Sequence, residues 1–310
     1  MNDTACTWRM VHDLPHALPG SPFWHAREER LYWVDSALKL LWRLHPRSGA
    51  VEHMELPTEP GSVVPCRSGG LLLALRDGIH HLAGWHDVPR LIHAPPYDPA
   101  AQRFTEGRCD PWGRFWVGTQ TVDEERADGG LYCLRPRTQS QPDLQLMERG
   151  ATRSAGLAWS VDGRTLYWAD GARHDIGRLA MTQPGQWPPV LGTPLPWAQF
   201  PRPGANDGST AYFGRPGGMA MDQAGHCWVA MQESGLILAL DARGQVVARL
   251  LLPALAPTAL CFGGDDGRTL FVTTARLHRS AAELLRHPDS GAVFATELGT
   301  PGPATQMYWD

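Results

Sequence analysis

The chain has 310 residues, a formal net charge of −4 and only 19% charged residues, so nothing in its electrostatics calls for nucleic acid or an anionic membrane surface. No apolar run approaches bilayer length, and the N-terminus MNDTACTWRMVHDLPHALPG lacks a basic stretch followed by an apolar one, which predicts a soluble, cytoplasmic protein. The 33 glycines and 27 prolines are scattered along the chain, which means many turns and therefore many short strands.

In chain order, TWRMVHD (residues 7–13) reads as a first strand. From Gly20 the chain runs GSPFWHAREERLYWVDS: a polar or glycine lead-in, an apolar strand, a short turn and a second apolar strand. The same grammar returns from Gly61 (GSVVPCRSGGLLLALRDG), Thr105 (TEGRCDPWGRFWVGTQ), Ser154 (SAGLAWSVDGRTLYWADG), Pro216 (PGGMAMDQAGHCWVAMQE) and Pro257 (PTALCFGGDDGRTLFVTTA). Further strands follow the first five units at LWRLHP, HHLAGW, GLYCLRP, IGRLAM and LILALDARG. The six lead-ins are spaced by 41 to 62 residues, the period of a four-stranded propeller blade. One hairpin cannot bury its apolar face, whereas stacked blades bury both, which explains strands apolar on both sides such as GLLLALR.

The expectation is therefore all-β: one six-bladed β-propeller over residues 1–310, four antiparallel strands per blade around a central channel. Residues 7–13 would close the last blade, which ends in GAVFATEL. Recurring tryptophans (Trp24, Trp33, Trp112, Trp116, Trp159, Trp168, Trp228) are assigned to gaps between blades. RSAAELLRH is the one helical segment, and the Pro/Gly-rich stretch from Trp197 to Gly214 reads as a loop over one face. Six dispersed cysteines without a C-x-x-C pair fit a reduced compartment, and a single lysine, Lys39, among many arginines fits the coding bias of a GC-rich bacterium. None of the 13 histidines shows H-x-H spacing, so surface or core roles are expected for them.

The blocks LPGSPFWHAREERLYWVD, QRFTEGRCDPWGRFWVGT, RSAGLAWSVDGRTLYWAD and GRPGGMAMDQAGHCWVA, in this order, resemble the senescence-marker-protein-30, gluconolactonase and regucalcin family of six-bladed propellers. The resemblance implies lactone hydrolysis with one divalent cation, such as calcium, manganese or zinc. The family's ligands are a Glu in the first lead-in, an Asn in S-N-G-L and an Asp in P-D-G-M. Here those positions are Gly20, Ala155 and Gly217, none with a side-chain donor, so no metal and no other cofactor is expected. The family's R-F-N-D-G segment stands as Arg103, Phe104, Thr105, Glu106 and Gly107, and its Met after G-T is Gln120.

Two readings follow. The first is a hydrolase of a small lactone or ester-like ring, working without metal, with Glu106 as acid/base and Arg103 stabilising developing negative charge. Thr105, Gln120, Ser62 and Thr258 would be its polar, substrate-binding neighbours. The second is a catalytically dead or repurposed propeller that binds a small molecule, or a non-hydrolytic metal-free enzyme. Either way the partner is a small molecule, with no nucleic acid or membrane, and the protein is a monomer or weak dimer. Asp207 in ANDGS and the carboxylates of VDEER are weaker candidates, read as turn and solvated loop.

Overall fold

The computed structural model describes residues 6–123, 126–136, 142–203 and 212–310. Six antiparallel sheets are arranged as the blades of a propeller. Their innermost strands are Pro19–His25, Pro60–Pro65, Gln102–Cys109, Ser154–Trp159, Arg215–Met221 and Pro257–Gly263. Five blades run outward in chain order; the sixth takes its outermost strand, Arg9–His12, from the start of the chain. That strand pairs antiparallel with Val293–Glu297, Arg9 opposite Ala295, and so closes the ring as the sequence predicted. Blade 4 owes its long interval to Asp175–Gln183, which pairs with both Val190–Leu191 and Leu195–Gln199.

One strand shows why the blades need each other. Leu71–Leu75 is buried throughout. Leu71, Leu73 and Leu75 pack with Phe23, Tyr32 and Val34 of blade 1. Leu72 and Ala74 point the other way, onto Phe104, Phe115 and Val117 of blade 3. Period-2 alternation thus feeds two different inter-blade cores from one strand. Blade 5 repeats this, with Ile237 and Ala239 facing blade 6 while Leu238 and Leu240 face blade 4. All seven tryptophans assigned to blade gaps are at least partly buried in these clusters, and Trp33 stacks on Trp42 at 6.0 Å between ring centres.

The predicted helix is present as Ala281–Arg286, with Ser280 and Glu283 forming a capping box. Among the described residues no helix is long and apolar enough to cross a membrane. None of the six cysteines is in a disulfide, and five are buried. Burial pushes the Cys227 and Cys261 thiols up to about 12, as expected of packing rather than reactive cysteines. Two core histidines, His12 and His16, sit among Trp33 and Trp42, and His16 Nδ1 faces Asp35 Oδ2 at 3.6 Å.

A feature with no counterpart in the repeat is the C-terminal tail. It crosses the face where the inner strands end, and its backbone bonds successively to blades 6, 5, 2 and 3: Gly302 N to Gly267 O at 2.9 Å, Gln223 N to Pro301 O at 2.9 Å, Tyr308 N to Pro65 O at 2.9 Å and Trp309 N to Gly113 O at 3.0 Å. The Thr305 hydroxyl adds a 2.8 Å bond to Trp24 O of blade 1. Tyr308 is fully buried and donates from Oη to Arg135 O at 2.7 Å.

Leu73→Ala removes a fully buried side chain from a two-sided core and is expected to cost about 2–5 kcal/mol in urea unfolding. Val247→Ala, on an exposed outer strand, should stay within about 0.5 kcal/mol.

Candidate functional site

Each of the six inner strands carries a register shift near its first residues, between Gly20 and Phe23, Pro60 and Ser62, Phe104 and Gly107, Ser154 and Leu157, Pro216 and Met219, and Pro257 and Ala259. Such bulges re-aim side chains and recur beside binding sites. Carboxylates at the ends of second strands pin two of these lead-ins. Asp35 accepts from Ala17 N at 2.8 Å and Leu18 N at 3.1 Å. Asp170 accepts from Thr152 N at 2.7 Å and Arg153 N at 3.1 Å. Burial pushes the Asp35 carboxyl up, but His16 and the backbone donors outweigh it and hold it below its usual range.

The lead-ins converge on a solvent-open cavity of about 100 Å³ at the upper mouth of the channel. Of the residues singled out in the sequence, Gly20, Arg103, Thr105, Glu106, Gln120, Ala155, Gly217 and Thr258 all line it. Ser62 does not. The bulge at the start of its strand turns it into the blade, where it is fully buried and its hydroxyl lies against Gly107 without a partner. The Thr258 hydroxyl bonds to Thr273 Oγ1 at 2.8 Å, inside its own blade. Thr105 Oγ1 is buried without a hydrogen-bond partner. Asp207 and Glu124–Glu125 of the VDEER loop lie outside the described residues.

Glu106 dominates the electrostatics. It is 8% exposed, and its Oε1 accepts from Arg108 Nη2 at 3.1 Å. The same Nη2 donates to Leu260 O at 2.7 Å. Burial raises the Glu106 carboxyl to about 7, even though the Arg108 charge and hydrogen bond pull it down. Glu106 lines the upper cavity and Arg108 the lower, so the pair spans the channel floor. A Cβ on Gly218 would stand 2.7 Å from Glu106 Oε2, so this glycine makes room for the carboxylate. The sequence reading passed over Arg108, although a residue two positions along a strand shares a face with Glu106. It also missed Arg153, which lines the cavity beside Gln120 and bridges to it through the backbone.

A divalent cation held as in the resembled family needs three side-chain oxygens, and the residues here do not fit it. Gly20 faces open space, with nothing within 4 Å of an added Cβ. Gly217 has no room at all, since a Cβ would meet Thr258 O at 2.6 Å. The carboxylates that remain in the cavity are already engaged, Glu106 by Arg108 and Glu59 by Arg76 at 3.1 Å.

Below the floor lies an apolar cavity of about 150 Å³, lined by Phe23, Trp159, Met221 and Phe262 and covered by the tail at Pro303–Gln306. Its composition suits packing, and the polar chemistry gathers above.

Comparison with known proteins agrees with this architecture. The profile of the SMP-30/Gluconolactonase/LRE-like region matches residues 18–276. A 6-deoxy-6-sulfogluconolactonase of Pseudomonas putida is 37% identical over 308 residues, covering 99% of each chain. Regucalcin of Danio rerio is 29% identical over 300 residues, covering 93% of each. The solved structure of a calcium-binding regucalcin from Agrobacterium tumefaciens superposes with a TM-score of 0.87 at 22% identity, covering 98% of this chain and 97% of that one. With its propeller, its ordered blocks and a profile match over most of its length, the chain belongs to the SMP-30/gluconolactonase/LRE-like family.

Proposed function

We propose that the chain hydrolyses a small sugar lactone in the upper channel, with Glu106 as the proton-transferring group and without a divalent cation at Gly20, Ala155 and Gly217. The observation that carries this reading is the buried Glu106 carboxyl, raised to about 7 and aimed into the cavity where all six lead-ins meet. Such a group changes protonation near neutrality, as a general base must.

In this mechanism Glu106 accepts a proton from water as the water oxygen bonds to the lactone carbonyl carbon. The carbonyl π electrons move onto oxygen, and the Arg103 guanidinium at the rim of the cavity stabilises that charge. The tetrahedral intermediate then collapses, the ring C–O bond breaks, and Glu106 returns its proton to the leaving ring oxygen. Arg108 contacts no substrate; it sets the basicity of Glu106. The Pseudomonas putida relative is named for a lactone bearing a sulfo group. Arg103 and Arg153 both line this cavity, and two guanidiniums suit an anionic substituent. We therefore extend the proposal to 6-deoxy-6-sulfogluconolactone as the preferred substrate.

The loss of all three family ligand positions favours a second reading, a propeller that only binds a small molecule. Turnover separates the two, because a pure binder shows ligand-induced stabilisation with no hydrolysis of any lactone offered.

For the hydrolase, kcat/KM rises about tenfold per pH unit below 7 and levels off above it, because the base works only when deprotonated. Glu106→Gln should lower kcat/KM by about 10²–10⁴ and abolish this limb. Arg108→Met removes the charge that pulls the carboxyl down, so the limb should move to higher pH. A limb that stays in place contradicts the assignment. Arg153→Ala should raise KM for the sulfonated lactone more than for gluconolactone; equal effects on both would remove Arg153 from substituent recognition.

A further inference from the structure

The lower face carries a second cluster, unrelated to the channel carboxylate. Cys66 Sγ, a His81 ring nitrogen and a carboxylate oxygen of Asp310 lie within 4.8 Å of one another. They come from three separate stretches: the turn after the inner strand of blade 2, the third strand of that blade, and the C-terminal tail. Cys66 is buried, at 3% exposure. His81 Nε2 is buried and has no hydrogen-bond partner, an arrangement that costs free energy unless something fills it.

The surroundings hold these donors in place. Cys66 N donates to Gly70 O at 3.1 Å, and Arg67 N donates to Tyr308 O at 2.8 Å, which ties the turn to the tail. Ser68 N donates to Asp310 Oδ1 at 3.0 Å, and the Ser68 hydroxyl donates to Oδ2. Outer hydrogen bonds of this kind orient the carboxylate of a metal ligand.

We infer that Cys66, His81 and Asp310 form a binding site for a borderline-soft divalent cation such as zinc. One sulfur, one nitrogen and one oxygen donor disfavour calcium and magnesium, which take oxygen ligands, and match the donor types of zinc. Ligand atoms around tetrahedral zinc stand roughly 3.3–3.8 Å apart given its bond lengths, so donors already within 4.8 Å of one another need only a small inward shift on binding. Three protein donors leave the fourth position to water. Binding converts the Cys66 thiol to thiolate and releases its proton to solvent. The consequence is mechanical: zinc fastens the tail that covers the lower cavity to blade 2.

The test uses the full chain, stripped with EDTA and dialysed. Zinc titrated into it should bind at one equivalent and raise Tm. Cobalt(II) should give a thiolate charge-transfer band with tetrahedral d–d absorption. Cys66→Ser should abolish the cobalt band. Because Cys66 is buried, His81→Asn and Asp310→Asn serve as independent variants, each expected to weaken zinc binding at least tenfold with an unchanged circular dichroism spectrum. Failure of zinc to bind the wild type, a cobalt band that survives Cys66→Ser, or unchanged affinity in both other variants overturns the proposal.

Discussion

Closure of the ring is the constraint on which everything else rests. Each blade is a thin sheet with apolar side chains on both faces, and Leu71–Leu75 shows that neither face has an alternative partner. Six such sheets are stable only when the last meets the first. The chain achieves this by lending Arg9–His12 to the blade that ends in Val293–Glu297. The tail then adds hydrogen bonds to five blades across the lower face, so the ring is fastened at its edge and along its base.

Closure also makes the site. The bulged first residues of six strands point at one axis because the ring holds them there, and Asp35 and Asp170 lock two of the lead-ins by their backbone amides. In this frame the three family ligand positions carry no donors, while Glu106 and Arg108 occupy the floor. A carboxylate enclosed by protein is raised by burial and pulled part of the way back by one guanidinium, which leaves it at about 7. Gly218 leaves the space this carboxylate needs.

Much of this was legible in the sequence because the repeat is an energetic necessity. Inner and second strands are buried on both faces and read as apolar runs with fixed turns, so blade number and closure could be counted. Outer strands such as Ala50–Glu55 are half exposed and mix charges with apolar residues, and their pattern carries little signal. The tail TPGPATQMYWD has no periodicity, since it is held by backbone bonds to turns rather than by a strand partner. Ser62 was placed in the channel because it stands in the lead-in of the second repeat, and a bulge, invisible in composition, turns it into the blade. Arg108 was missed for a related reason: its role depends on reaching Leu260 O across the channel, a contact 152 residues away in sequence.

The central claim is that the channel opens a lactone ring with a buried carboxylate and no bound cation. The direct measurement is lactone turnover by protein shown by elemental analysis to be metal-free. The account predicts undiminished hydrolysis that added calcium, manganese or zinc does not increase and that Glu106→Gln removes. Turnover that depends on an added cation, or that survives in the Gln variant, would contradict it.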